Sequence, residues 1–310
     1  MKILVTGATG FVGRALCKTL IEGGHHLVVV SRDPSRAKWR APAPHTVLAW
    51  DFSETPTSSR SEEIRSQIGG LDAVIHLAGE SLFGHRWTDS YKEKLRLSRV
   101  ESSKRLISLL DSLATHPKVF ITASAIGYYG DRGEEVLRET SPPGKDFLAK
   151  LCKDWEGALL QASLSGTRRV ALRFGIVLGK SGGALDRMLP IFSFGLGGSL
   201  GSGKQWMSWI HIDDLVSIIT RCLGDEALSG PINCVAPYPV TNSEFSTTFA
   251  KTLHRPTFLK IPKFMLKFGL GEASQALLSS QRVAPAKLIG ENFRFKYPNL
   301  KSALEAILSN

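Results

Sequence analysis

Cysteine is scarce in this sequence and never clustered. The four thiols, Cys17, Cys152, Cys222 and Cys234, stand far apart in 310 residues, with no spacing that suits a disulfide framework or a metal site. Reduced thiols of a cytoplasmic protein are expected, and no metal. Long apolar runs are missing too. No stretch approaches the length that spans a bilayer, so no membrane partner is expected. The first apolar run already begins at Lys2, which leaves no room for a secretion signal. Acidic residues are outnumbered: 39 Lys and Arg face 28 Asp and Glu, a formal net charge of +11. Such an excess favours anions, the phosphates of a small ligand among them. A nucleic-acid partner is not expected, because the cations are spread along the chain with neither a basic arm nor an aromatic-interleaved patch. Internal repeats and low-complexity segments are also absent. With 43% hydrophobic and 22% charged residues, the chain can bury one large α/β core plus a smaller lobe.

What the sequence does have is concentrated at its start. Lys2 to Thr6 is a short apolar run rich in β-branched residues, the pattern of a buried strand. Gly7, Gly10 and Gly13 follow, then a helical stretch from Arg14 to Glu22 closed by Gly23 and Gly24, then a second strand from Leu27 to Val30. Strand, glycine turn, helix and strand form the βαβ unit that binds a dinucleotide. The first glycine permits the tight turn, the second lets backbone approach a pyrophosphate, and the third lets helix pack closely on strand. Unpaired N–H groups and the macrodipole at the helix start hold the phosphates. Gly7, Thr9, Gly10, Phe11, Val12 and Gly13 are therefore cofactor candidates. The end of the second strand selects between coenzymes. An acid there suits the ribose hydroxyl of NAD, whereas Arg suits a 2′-phosphate. Here Ser31 and Arg32 follow Val30, with Arg36 close behind, and a guanidinium fork plus a serine hydroxyl match a phosphate. Asp33 argues the other way, unless it caps the turn before Pro34. NADP(H) is the expected cofactor.

The GxxGxxG spacing in TGATGFVG resembles that of the short-chain dehydrogenase/reductases (SDRs), in their extended, epimerase-like branch. The resemblance implies a Rossmann-type doubly wound parallel α/β sheet with a smaller mixed C-terminal lobe. A third strand is expected over Thr46–Trp50, and the acid behind it, Asp51, would contact the adenine. A polar, proline-containing loop is expected over Ser53–Ser61. A fourth strand covers Leu71–Leu77, and HLAGE resembles the segment that passes beneath the ribose, which makes Leu77, Ala78 and Gly79 cofactor candidates. Trp87 to Leu113 reads as one long amphipathic helix. Its Ser98-Arg99 pair resembles one in which the arginine reaches the phosphates, and Lys94 lies one turn earlier.

The fifth strand, Val119–Ser124, ends where such enzymes carry the hydroxyl that binds the reacting oxygen. Ser124 matches it, and Tyr129-Gly130 match the YG that follows. The family's Tyr-x-x-x-Lys pair is missing. Anchored on Glu156, the helix FLAKLCKDWEGALL places Leu148 at the tyrosine and Cys152 at the lysine. Leu148 is expected against the nicotinamide, and Lys150 and Lys153 point elsewhere. Any proton donor must come from Tyr128, Tyr129, Ser124, Glu80 or His211, in falling order of preference. Tyr128, Tyr129 and Ser124 are the catalytic candidates.

Further on, Arg169–Leu178 reads as a sixth strand, Leu185–Phe194 as a helix, and GLGGSLGSGKQ as a loop too rich in glycine for regular structure. WIHIDDL resembles the segment that leads extended members back to the main domain, with Asp213 as a helix cap. The end of the chain, from Gln281-Arg282-Val283 to Phe295-Lys296-Tyr297-Pro298, resembles the C-terminal domain of the atypical YfcH-type epimerase-like group, in which the pair is likewise absent. The expected division is a cofactor domain of 1–178 plus about 211–236, and a substrate lobe of about 179–210 plus 237–310. The resemblance implies an NADP(H)-dependent oxidoreductase or epimerase of a small substrate, nucleotide-linked compounds included, and a homodimer. The alternative is a catalytically silent NADP(H)-binding protein that reports redox state to a partner.

Overall fold

Valine, isoleucine and leucine bury both faces of the opening strands, the pattern of a parallel sheet covered on each side. The computed structural model describes residues 1–33, 45–52 and 58–309. Strands β1 (Lys2–Thr6), β2 (His26–Ser31), β3 (His45–Ala49), β4 (Ala73–His76) and β5 (Val119–Ala125) are connected through helices α1 (Phe11–Glu22), α2 (Ser58–Ile68), α3 (Asp89–Arg96) and α4 (Ser102–Asp111). Then come β6 (Val136–Leu137), α5 (Phe147–Leu160), β7 (Arg168–Phe174), β8 (Ile176–Leu178) and α6 (Gly183–Ser193). Next are β9 (Gly198–Leu200), β10 (Trp206–Met207), β11 (Trp209–His211), α7 (Ile212–Gly224) and β12 (Gly230–Cys234). The last part holds β13 (Val240–Thr241), α8 (Asn242–Thr252), β14 (Leu259–Ile261), α9 (Lys263–Leu270) and β15 (Arg282–Val283), with further helices near the end.

Seven strands form one parallel sheet in the order β12-β7-β5-β4-β1-β2-β3. The order reverses between β1 and β4, and in open α/β sheets the ligand crevice lies at such a point, outside the carboxyl ends of the strands. Alternate residues of each strand serve opposite cores. Ile3, Val5, Val29 and Ile75 pack with α1 and α7, while Leu4, Val28, Val30 and Phe120 pack with α2 and α4. This is the expected Rossmann-like architecture, with small extra sheets in the C-terminal region.

Several elements differ from the sequence reading, each for a local reason. Helix α1 starts at Phe11 rather than Arg14, so Phe11, Val12 and Gly13 already belong to its first turn. Ser58–Ser61, expected in a loop, opens α2, and residues 53–57 lie outside the described residues. The expected strand Arg169–Leu178 divides at Gly175, and β8 leaves the main sheet to pair with β11. Part of the glycine-rich loop is a strand after all, because β9 pairs with β14. A Cβ on Gly198 would lie 2.1 Å from Leu259 O, so glycine here permits close strand approach rather than mobility. The helix expected over Trp87–Leu113 contains a π-helical turn, Leu97–Glu101, between α3 and α4. Asp213 does not cap α7; His211 does, its Nδ1 accepting from Asp213 N at 3.1 Å.

Candidate cofactor and catalytic site

The glycine turn lies at the reversal point, between the ends of β1 and β4. Gly7 has φ +70°, and a Cβ there would sit 2.7 Å from Leu77 C. A Cβ on Gly13 would sit 2.2 Å from Gly7 O, so α1 could not approach the turn with any larger residue. Gly10 caps α1 without a side chain to occupy its free N–H groups, and no acid stands in the first turn. An uncapped helix N-terminus at a crevice suits an anion.

A buried histidine fixes the next segment. His76 Nδ1 lies 2.7 Å from Thr6 Oγ1, and its Nε2 lies 3.3 Å from Ser102 Oγ. Thr6 Oγ1 also accepts from Ala78 N at 3.1 Å. Thr6 therefore donates to Nδ1 and the Nε2–H donates to Ser102, which describes a neutral ring. Burial holds the His76 pKa down to about 4. One imidazole thus ties together the turn strand, the Leu77-Ala78-Gly79 segment and Ser102 at the start of α4, directly after the π-helical turn.

That turn presents Arg99. Its guanidinium donates to Glu80 O at 2.7 Å and lies 5.3 Å above the Trp155 ring. It is packed against Gly79, and burial lowers its pKa. Arg99 thus supports the Gly79-Glu80 segment from behind. Glu80 faces two other cations: its Oε2 lies 3.9 Å from Arg32 and 3.6 Å from Lys94. Arg32 is 75% exposed at the end of β2, next to Ser31, whose hydroxyl donates to Asp33 O at 3.0 Å. Asp51 follows β3 at the surface, and Arg36 lies outside the described residues.

The candidate catalytic residues do not sit together in one open pocket. Ser124 is buried and donates to Glu156 Oε1 at 2.6 Å. Glu156 in turn accepts two bonds from Arg173, at 2.9 and 2.8 Å, deep in the protein. Arg173 also donates to Tyr129 Oη at 2.9 Å, and Tyr129 donates to Asn233 Oδ1 at 2.6 Å. Tyr129 is fully buried, and desolvation pushes its pKa up to about 12, so its hydroxyl has no bond left for a substrate. Tyr128 differs. It is half-buried, its ring centroid lies 3.5 Å from the Arg173 guanidinium carbon, and among the described residues its hydroxyl has no partner. Leu148 packs on Gly127, with Cys152 one turn on and its thiol pushed up to about 12 by burial. The helix face that should carry a tyrosine and a lysine is apolar.

The C-terminal segment closes the loop after β5. Gln281 Nε2 donates to Ile126 O and to Gly130 O, both at 3.1 Å, and β15 pairs with β6. Sequence reasoning missed Arg173, His76 and this strap. The signal for Arg173 was present, since it is the lone charge in the run from Val170 to Leu178. Of the other proton-donor candidates, His211 stacks on Tyr297 with ring centroids 3.9 Å apart, and Glu80 turns its carboxylate to Arg32 and Lys94.

Comparison with known proteins identifies the family. The model of the NAD dependent epimerase/dehydratase family matches residues 3–234, and a domain of unknown function, DUF1731, matches residues 261–307. The chain is 39% identical over 310 residues to the chloroplastic epimerase family protein SDR39U1 homolog of Arabidopsis thaliana, covering 99% of this chain and 87% of that one. It is 35% identical to epimerase family protein YfhF of Bacillus subtilis, over 100% and 99% of the two chains. The crystal structure of human epimerase family protein SDR39U1 with NADPH superposes with a TM-score of 0.87 at 33% identity, covering all of both chains. MoeE5, in complex with UDP-glucuronic acid and NAD, shares the fold at 20% identity, with a TM-score of 0.77 over 99% and 97% of the two chains. The chain belongs to the NAD dependent epimerase/dehydratase family, among its atypical short-chain dehydrogenase/reductases of SDR39U1 type.

Proposed function

We propose that this protein is an NADP(H)-dependent oxidoreductase or epimerase of a small carbonyl or alcohol substrate, with Tyr128 as its proton donor. The glycine turn at the strand-order reversal, backed by an uncapped helix start, carries this reading. The residues fit the coenzyme: side chains larger than hydrogen at Gly7 and Gly13 would fill the cradle, and Ser31 with Arg32 at the end of β2 supports recognition of a 2′-phosphate. When bound, the nicotinamide supplies or removes a hydride. The chain itself orients and moves the proton. Ser124 has spent its proton on Glu156, so it can accept from the hydroxyl of an alcohol substrate but has no proton to offer a carbonyl oxygen, which must take its bond from Tyr128. Among the described residues the Tyr128 hydroxyl has no hydrogen-bond partner, and the Arg173 guanidinium lies against its ring. Half-buried Leu82, Phe83, Phe147, Leu148 and Phe174 share one apolar cluster, which favours an apolar group beside the reacting carbon and helps exclude water.

The 2′-phosphate assignment has its own test. Arg32→Asp is expected to weaken NADPH binding by about 1.5–3 kcal/mol, the worth of a charge-assisted pair, while NADH binding hardly changes. Calorimetric titration of both coenzymes reads this directly, and an equal loss for both would remove the assignment.

For the chemistry, purified protein is mixed with NADPH and a panel of carbonyl compounds and sugar nucleotides. Turnover is expected, and Tyr128→Phe should lower it by about 100-fold or more with unchanged NADPH affinity. Tight NADPH binding with no turnover would instead support the second reading, a silent NADP(H)-binding protein that signals to a partner. The observation behind that reading is the engagement of both Ser124 and Tyr129 inside the protein.

A further inference from the structure

Helix α9 buries none of its residues, although it contains Phe264, Met265, Leu266, Phe268 and Leu270. Phe268 is 82% exposed and Phe264 70%. The apolar surface continues beyond the helix. Phe258, just before β14, is 76% exposed, and Phe194, at the end of α6, is 82% exposed. These residues belong to one face. Strand β14 pairs with β9, Arg255 Nε donates to Ser193 O at 2.7 Å, Gly195 faces Pro256, and Gly201 faces Lys263. No acidic residue occurs between Glu244 and Glu272, while Lys251, Arg255, Lys260, Lys263 and Lys267 do. The stretch from Arg255 to Phe268 is therefore an aromatic-interleaved basic patch, contrary to the expectation from the sequence that none exists. Its exposure becomes visible only in the fold.

We propose that this face docks on an anionic bilayer surface. Exposed phenylalanines with lysines between them, on a short helix lying in the surface, are what a headgroup boundary accommodates: the rings enter the acyl edge and the lysines reach the phosphates. At 1.5 Å per residue, the eight residues of α9 cover about 12 Å, far short of a span, and no helix among the described residues is long and apolar enough to cross a membrane. A second copy of the chain is a poorer occupant, because it would bring the same uncompensated cations against these, and lysine is depleted at protein interfaces. An anionic lipid surface neutralises them instead. The docking face adjoins the candidate site: Arg86 donates to Phe268 O at 2.6 Å, Lys92 pairs with Glu272, and Leu270 packs on the cluster that holds Phe83 and Phe147.

Co-sedimentation of the full chain with vesicles tests the proposal. Phosphatidylcholine alone and phosphatidylcholine mixed with phosphatidylglycerol are compared at low and high salt. Binding is expected to the mixed vesicles only, and to weaken with salt. Phe264→Ser/Phe268→Ser and Lys263→Glu/Lys267→Glu should each lower the partition coefficient at least about tenfold while leaving NADPH binding unchanged. The substituted side chains of both variants support no core, so folding is not at stake. No binding to mixed vesicles, or binding that survives both variants, overturns the proposal. So does self-association in sedimentation velocity that Phe264→Ser/Phe268→Ser abolishes without any vesicle binding by the parent protein.

Discussion

Arg173→Met is expected to destabilise the protein by about 3–5 kcal/mol, the cost of removing one partner from a buried ion pair. The reason lies in what the variant leaves behind. Glu156 is buried at the side of α5, and Arg173 supplies both of the charged bonds to its carboxylate. Without the guanidinium, only the Ser124 hydroxyl still donates to it. Tyr129 loses a donor at the same time. Removing both charges in Arg173→Met/Glu156→Leu should be less damaging than the single change, because no lone charge stays buried. It will not restore full stability, since the Ser124 hydroxyl loses its acceptor, at a cost of about 1–3 kcal/mol, while Tyr129 loses only the bond it accepted from Arg173 and still donates to Asn233. Urea unfolding of the two variants and the parent protein decides the matter. A loss under about 1 kcal/mol for Arg173→Met would mean that water reaches the pair, and the closed network described above would be wrong.

That network also explains where sequence reading succeeds and where it stops. The opening βαβ unit is legible because its constraints are local. Gly7 contacts Leu77, but its positive φ is a property of the turn, and Gly13 is excluded from bearing a side chain by Gly7 itself. Strand β1 accordingly falls over Lys2–Thr6 as expected. The same holds for β5, where a run of apolar and small residues ends at Ser124 and Ala125. Ser124's surroundings are a different matter. Glu156 lies 32 residues away from Ser124, and Arg173 another 17 beyond it, so only tertiary structure tells that the serine proton is already committed. Periodicity also misleads where backbone requirements override it. The π-helical turn at Leu97–Glu101 keeps helical spacing on paper while rotating Arg99 inward against Gly79 and Trp155. The strand inside the glycine-rich loop fails for the reverse reason: composition suggests disorder, yet Gly198 is small so that β14 can lie against it. Exposure is the least legible property of all. Phe264 and Phe268 are as apolar as core residues, yet they stand in solvent in the fold.

His76 makes stability depend on pH, in a direction set by its burial. In the unfolded chain an imidazole takes up a proton near pH 6.5, whereas the native ring does so only at about 4. Above about pH 6.5 neither state carries the proton and the native structure has its full stability. As pH falls from there, the unfolded chain binds more protons than the folded one, so stability declines. Below about 4 both states are protonated and the decline from this residue ends. The slope contributed by one such group approaches about 1.4 kcal/mol per pH unit, which makes the effect across the window about 3 kcal/mol. His211 is also lowered to about 4, by burial first, and contributes in the same sense. Asp214 has its carboxyl raised by burial and works in the opposite sense, equally in parent and variant. His76→Gln, which can still accept from Thr6 and donate to Ser102, should therefore flatten the curve of unfolding free energy against pH between about 6.5 and 4 by about one histidine's slope. NADPH affinity gives the second readout. In the parent protein it should fall together with stability once the ring is charged, because a protonated Nδ1 cannot accept from Thr6, whose hydroxyl proton must then turn elsewhere and disturb the oxygen that holds Ala78 N. If parent and variant show the same slope through this window, His76 does not titrate there, and the neutral ring linking the turn strand to Ser102 must be abandoned.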